Sequence, residues 1–388
     1  QYFAGEKTKI NFGLLFTRHS FSPGRFETSE TSSFNPVTLQ DKYALDGALY
    51  VSDEWTPTNK LKLNTGLRLS SFNIMGPGDF YTYDTLGNVI NTKSYSSGKI
   101  VKSYVNLQTR LAITYQLDKS SSIKSSYSRN VQNLHLLSNS TGSNPTDLWI
   151  PSSNNVKPEI ADQVSLGYYR NIKQNSYDFS AEIYYKGLQN QIDYKNGAVL
   201  VANENVESQL VFGKGRAYGL EIYLKKKYGK LTGWVSYTLS RTERKINGIN
   251  NSNWYPATQD QTHNVAIVAM YQASKKWTLA SDFVYNTGNA VTWPSGKYDV
   301  NGRTVFYYTS RNSYRMPAYN RLDISATLLV KKTKKFEGSW TFSVYNAYGR
   351  ENPYFIQFED DPANPQKTIA VQYSLFRWVP SVTYNFKF

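Results

Sequence analysis

Few residues in this chain have the types or spacing that covalent chemistry requires. The only imidazoles are His19, His135 and His263, and no pair has the spacing of metal ligands. There is no cysteine, so thiolate nucleophiles, thiolate metal sites and disulfides are all excluded. Asp260 and His263 lie three residues apart and read as a local hydrogen-bonding pair rather than a catalytic dyad. No G-x-S-x-G elbow or phosphate-binding loop occurs. Asp360-Asp361 offers two adjacent acids, fit either for a loop calcium ion or for a solvated turn, and the turn is the plainer reading. The expectation is a protein that is not an enzyme and that holds no cofactor.

Binding chemistry is better represented. Trp149, Trp254, Tyr255, Trp293, Tyr298, Tyr307 and Tyr308 fall in long connecting segments with Asn and Arg nearby. Exposed aromatics of this kind can grip a ligand arriving from outside; they can equally pack a loop or sit at a membrane interface. A second set is charged and lies inside regular segments: Arg68, Arg110, Glu182, Glu221, Asp282, Arg321 and Asp323. Each falls on the polar phase of an alternating run. Pairing with one another is the plain role, and lining an aqueous path or meeting an inserted stopper is the functional one.

The elements that must position these residues are strands. From Leu375 to the C-terminus the even positions are Phe376, Trp378, Pro380, Val382, Tyr384, Phe386 and Phe388, and the odd ones include Arg377, Ser381, Thr383, Asn385 and Lys387. Successive side chains on a strand point to opposite faces, so such a run has one apolar and one polar face. The same rhythm defines about fourteen strands, among them Tyr177 to Lys186, Arg216 to Lys227, Leu231 to Arg241 and Tyr319 to Lys332. The connections alternate strictly. Every second one is a few residues, such as Asp118-Lys119-Ser120 or Ser274-Lys275-Lys276, and the others run from about fifteen to about thirty. A soluble sandwich imposes no such parity, whereas an outer-membrane barrel has short periplasmic turns and long outer loops. Trp55, Trp277, Trp340 and Trp378 fall at or near strand ends, where an aromatic girdle belongs.

Composition agrees. The chain has 388 residues of even texture with no linker, which favours one all-β body over residues 1–388. Mean hydropathy is −0.54 and nothing approaches the ~20 apolar residues of a spanning helix, but a barrel strand needs only about 10, half of them facing lipid. The net charge of +15 is gathered around short connections, as at Lys275-Lys276 and Lys225 to Lys227, and not on one basic face. Nucleic acid is therefore not an expected partner; the plain reading of the charge is solubilised turns and strand ends, and contact of part of it with anionic lipid head groups is the functional one.

Several stretches carry a family resemblance. Asn154-Asn155-Val156-Lys157-Pro158-Glu159 followed by Leu166-Gly167-Tyr168, Gly215 to Glu221, Arg315 to Asp323, and Val344-Tyr345-Asn346 with Asn352-Pro353-Tyr354 together resemble the C-terminal barrel of TonB-dependent outer-membrane receptors. The terminal aromatic Phe388 is similar to the signal that the barrel-assembly machinery reads. The resemblance is distinctive over residues 154–388 and weaker before them. It implies a transmembrane antiparallel barrel of twenty-two strands, with this chain supplying strands nine to twenty-two and a plug domain and the earlier strands lying outside it. It also implies import across the bacterial outer membrane, powered through TonB, of a scarce siderophore, glycan, peptide or vitamin. The partners implied are outer-membrane lipid and lipopolysaccharide, the plug and remaining strands, TonB, the assembly machinery and, as a further candidate, a surface lipoprotein. Two other readings stay open at this point: a self-contained fourteen-stranded porin-like channel, and a soluble β-rich binding module.

Overall fold

The computed structural model describes residues 1–26, 37–137, 147–198, 200, 203–300 and 303–388. Fourteen long strands lie side by side in one antiparallel sheet, each bonded to its neighbours in sequence. They are β1 (Thr8–Phe21), β2 (Lys42–Thr58), β3 (Leu61–Met75), β4 (Ile100–Gln116), β5 (Ser121–Gln132), β6 (Glu159–Ile172) and β7 (Tyr177–Tyr194). The second half comprises β8 (Leu210–Lys226), β9 (Leu231–Ile246), β10 (His263–Gln272), β11 (Trp277–Asn286), β12 (Tyr319–Lys332), β13 (Glu337–Tyr345) and β14 (Val379–Lys387). The all-β class and the antiparallel order expected from the alternation both hold. β14 ends the sheet on one side; on the other, β1 carries only the short pairing of Tyr2–Phe3 with Lys9 and Ile10, and β1 and β14 do not pair with each other.

Register lines the apolar side chains into rows. Leu14 lies opposite Leu49, Leu49 opposite Leu69, and Leu69 opposite Leu107. At the other end of the sheet a row runs through Leu231, Tyr271, Leu279, Ala326, Phe342 and Val382. Leu14, Leu49, Leu107, Phe342 and Val382 are all exposed. A continuous apolar face of this extent, left open, is far larger than soluble monomers tolerate.

The short turns are built from side-chain hydrogen bonds. At the β4–β5 turn Asp118 Oδ1 accepts from the backbone N–H groups of Ser120 (2.7 Å) and Ser121 (2.9 Å), and Oδ2 accepts from Ser121 Oγ (2.6 Å). These bonds hold the Asp118 carboxyl well below the usual carboxylate range.

The long connections are not structureless. Hairpins form over Gly78–Tyr83 with Val89–Tyr95, Leu134–Leu137 with Leu148–Pro151, Gly296–Val300 with Arg303–Tyr307, and Phe355–Asp361 with Asn364–Tyr373. β7 and β8 also run on past the expected ends, to Tyr194 and back to Leu210. A bulge between Gln189 and Gln191, with Asn190 at φ 55°, shifts the phase of this arm. The fully buried apolar clusters lie at this end of the molecule. Leu137, Ile150, Val156, Ile192, Val206 and Leu210 form one. Ala44, Phe72, Ile74 and Phe80 form a second, and Ile246, Ile249 and Tyr255 a third. The hydrophobic core thus sits in a cap over the long-loop end of the sheet, whose opposite end carries no comparable cluster among the described residues.

Candidate ligand-binding cap and polar face

The cap is tied together by buried ions. Asp193, on the β7 arm, accepts from the Arg311 guanidinium, from Tyr255 Oη (2.5 Å) and from the Tyr194 backbone N–H (2.8 Å). Asp260 is fully buried and bound by Arg315 and by Arg241 Nη1 (3.4 Å). Arg241 and Arg216 share Glu243 at 3.1 and 2.7 Å, so one ionic chain runs from β8 through β9 into the β11–β12 loop. Glu207 accepts from Lys42 Nζ (2.5 Å), Asn155 Nδ2 (2.7 Å) and Ser153 Oγ (2.9 Å). Burial alone would push its carboxyl up, but Lys42 and these donors hold it below the ordinary value. Burial of the Tyr83 phenol next to Glu207 moves it the other way, up.

The residues that carry the family resemblance turn out to hold this cap. Asn154 and Asn155 both donate to the Tyr81 carbonyl, at 2.8 and 3.1 Å, and so fasten the 78–95 hairpin. Asn346 is wholly buried at φ 53°. Its Nδ2 donates to the carbonyls of Arg350 (2.8 Å), Phe376 (3.3 Å) and Arg377, clamping both ends of the β13–β14 connection. Gly219 lets strands approach, since a Cβ there would lie 2.6 Å from the Leu239 carbonyl and 3.0 Å from the Tyr184 ring.

Two cavities open in the cap. One of about 260 Å³ is walled by Phe80, Tyr81, Tyr83, Leu148, Trp149 and Glu207. The other, about 350 Å³, lies between the 134–137 strand, β6, β7 and β9. Of the seven aromatic candidates, Trp149 alone lines either of them; it is 56% exposed. Trp254 lies under the Arg216 guanidinium, 4.3 Å from ring centre to Cζ. Trp293 stacks on Tyr314 at 4.7 Å and meets the edge of Phe358. Tyr307 and Tyr308 are exposed on and beside the 296–307 hairpin. Tyr255 departs from expectation: it is 3% exposed, because its hydroxyl is drawn in to Asp193 and its ring packs on Ile246 and Ile249. The expected Asp260–His263 pair also does not form. Asp260 is taken by arginines, and His263 Nδ1 meets Tyr237 Oη at 2.9 Å. Asp360 is held by Lys297 Nζ at 2.6 Å, and Asp361 Oδ1 accepts from the Ala363 N–H in a turn.

Below the cap, the seven charged candidates share the face opposite the apolar rows. Arg321 Nε and Asp323 Oδ2 pair at 3.0 Å, and Arg321 lies over the Tyr345 ring. The others do not pair among themselves. Glu182 stands directly opposite Glu221 and Asp282 opposite Asp323, while Arg68 faces Tyr50 and Gln108. Glu182 accepts from Tyr169 Oη, and Arg110 Nη2 donates to Asn130 Oδ1 at 3.3 Å. Like charges directly opposite on a sheet are unfavourable unless water or another group intervenes. Phe388 is exposed at the end of the chain, its ring edge-on to Phe386.

The family model described as TonB dependent receptor-like, beta-barrel, matches residues 1–347. The chain belongs to that family. Its members are bacterial outer-membrane receptors, and the exposed apolar rows of this receptor barrel are what the outer surface of such a barrel requires. The match takes in the first 150 residues, where the sequence motifs are least distinctive. Solved structures agree in fold. The copper transporter OprC superposes with a TM-score of 0.61 at 12% identity, covering 99% of this chain and 55% of its own. The FrpB iron transporter from Neisseria meningitidis gives 0.60 at 14%, covering 99% and 53%. The ferric preacinetobactin receptor BauA from Acinetobacter baumannii gives 0.57 at 13%, covering 99% and 52%. The receptor barrel described here spans about half the length of these structures. A search of curated proteins finds no match to the sequence. The family and these neighbours are receptors and transporters, not enzymes, and neither the porin-like nor the soluble alternative gains support from them.

Proposed function

We propose that this barrel is the wall of an active importer. A scarce solute (a siderophore, glycan, peptide or vitamin) is captured at the cap, and TonB, pulling on a plug domain, draws it through the lumen. The observation that carries this reading is the open sheet with its charged lumenal face. An unpaired strand edge in hydrocarbon costs several kcal/mol for each unsatisfied backbone group, so β1 and β14 require neighbours. The family supplies them as the eight preceding strands. A plug supplies donors for the Glu182–Glu221 and Asp282–Asp323 pairs and acceptors for Arg68. The cap contributes ligand contacts from Trp149, Trp254, Trp293, Tyr307 and Tyr308, with Tyr255 acting behind them through Asp193. Phe388 is the assembly signal, and lipopolysaccharide meets the outer lipid face. A surface lipoprotein is a further partner that the exposed hairpins can receive.

The test is solute depletion from defined medium by cells with and without the intact receptor, each in TonB-proficient and TonB-deficient backgrounds. The expected result is at least one solute whose depletion requires both and stops on adding a proton uncoupler. Depletion that proceeds equally without TonB sinks the active mechanism and leaves a passive channel.

A further inference from the structure

The second cap cavity has features that point to the chemistry of its occupant. It encloses about 350 Å³, within the range of small-molecule sites. Gln132, Glu159 and Arg244 occupy the lumenal phase of β5, β6 and β9. Asp193 joins them because the bulge at Asn190 turns it to the same side, opposite Val211. Four of its polar lining residues thus lie on the lumenal phase.

Two of its walls carry polar atoms with no partner among the described residues. His135 is 3% exposed; its Nε2 is 3.0 Å from Ser152 Oγ, and its Nδ1 is buried with no hydrogen bond. Arg244 Nη1 donates to the Ile192 carbonyl at 3.2 Å, while its buried Nε–H has no acceptor. Buried polar atoms left unsatisfied in a folded protein call for an explanation, and an absent ligand is one. Both side chains line this cavity.

Charge decides which ligand. Arg244 is the cavity's cation, and Glu159 and Asp193 are its anions, with Asp193 already bound by Arg311. The four formal charges cancel, so an ionic ligand gains no net attraction. An anion would also face the Glu159 carboxylate directly. The remaining polar lining is Gln132, Tyr194, Gln259, Asn289 and Thr258. Amides, hydroxyls and a neutral imidazole each donate and accept. Hydroxyl groups of a ligand do the same, so they can satisfy both kinds of vacancy at once.

We infer that this cavity is a subsite for an uncharged, hydroxyl-rich ligand of the kind a pyranose ring presents. The inference rests on the reading that the cap captures the imported solute, and it names the class of that solute. On this reading Arg244 Nε–H and His135 Nδ1 meet ring hydroxyls, and Gln259, which is exposed, closes over them.

The test uses the full-length receptor purified in detergent and an array of neutral, acidic and amino oligosaccharides. Neutral oligosaccharides are expected to be retained. Gln259→Ala, at an exposed position where folding is not at stake, is expected to weaken retention about tenfold, the loss of one hydrogen bond. Arg244→Gln is expected to abolish it while the heat-modifiable migration of the folded barrel persists. Retention of acidic sugars in preference to neutral ones, no retention of any neutral sugar, or retention unchanged in both variants would each overturn the subsite. Solute depletion that needs TonB, in a receptor that retains no sugar, would sink this inference alone. Sugar retention without TonB-dependent depletion would sink the import reading alone.

Discussion

His135 shows how a residue with no catalytic context still acquires a defined chemistry. Burial pushes its imidazole down to about 4 from the ordinary value, so it is neutral at physiological pH. Glu159, Asp193 and Arg244 line the same cavity, and their charges cancel only with Arg311, which binds Asp193. The consequence for stability has a definite sign. Between about pH 6.5 and 4 the unfolded chain binds a proton that the native cap refuses, so cap stability falls as pH drops through that window. The loss approaches ~3 kcal/mol below it, from about 1.4 kcal/mol for each pKa unit. Hydrogen exchange in Leu134–Leu137, corrected for intrinsic rates, should report protection at pH 7 and its erosion at pH 4.5. His135→Gln, which cannot take up the proton, should keep its protection. Equal acid sensitivity in both proteins would assign the effect elsewhere. Nothing in the sequence marked this histidine, because its burial is created by the 134–137 and 148–151 hairpin, whose pairing alternation alone does not reveal.

At the scale of the element, legibility followed phase. β12 was readable residue for residue as Tyr319 to Lys332, because Leu322, Ile324, Ala326 and Leu328 alternate without a break against Arg321 and Asp323. β7 was readable only to Lys186. Past Gly187 the bulge at Asn190 inserts one residue, after which Asp193 takes the lumenal phase that even positions held before. A period-two pattern interrupted by one residue looks like a loop. The same limit hid the hairpins of the long connections, where turn chemistry does the work. Asp84 Oδ1, for example, accepts from the N–H groups of Leu86, Gly87 and Asn88 at 2.7–2.9 Å. Where phase is clean, it makes opposite predictions for adjacent residues. Leu107 lies in the lipid-facing row beside Leu69, and Gln108 faces Arg68 across the same two strands. Leu107→Arg should cost about 2–4 kcal/mol near the midplane and reduce the folded, heat-modifiable fraction in the outer membrane. Gln108→Glu, which puts a carboxylate opposite Arg68, should assemble normally. Similar assembly defects in the two variants would refute the assignment of faces.

For the whole molecule, the decisive question is what lies beside β1 and β14. Every inner strand from β2 to β13 is bonded on both sides, but β14 has only β13, and its side chains are exposed along its full length. Closing fourteen strands by pairing β14 with β1 is geometrically conceivable for a narrower barrel, since diameter grows with strand number. In the structure the two strands do not pair, and the β7–β8 arm shares one buried cluster with the hairpin of Leu134–Leu137 and Leu148–Pro151. Single cysteines at Leu14 and Val382, both on the lipid face and far from the cap, offer a direct measurement. In the intact receptor no disulfide between them should form under oxidation. If, as proposed, further strands complete the barrel, the partner of β14 is the first of them, and a cysteine scan along that strand should yield one efficient crosslink to position 382. Efficient crosslinking of positions 14 and 382 would instead make these fourteen strands a closed barrel, with no room for a plug and no need of TonB.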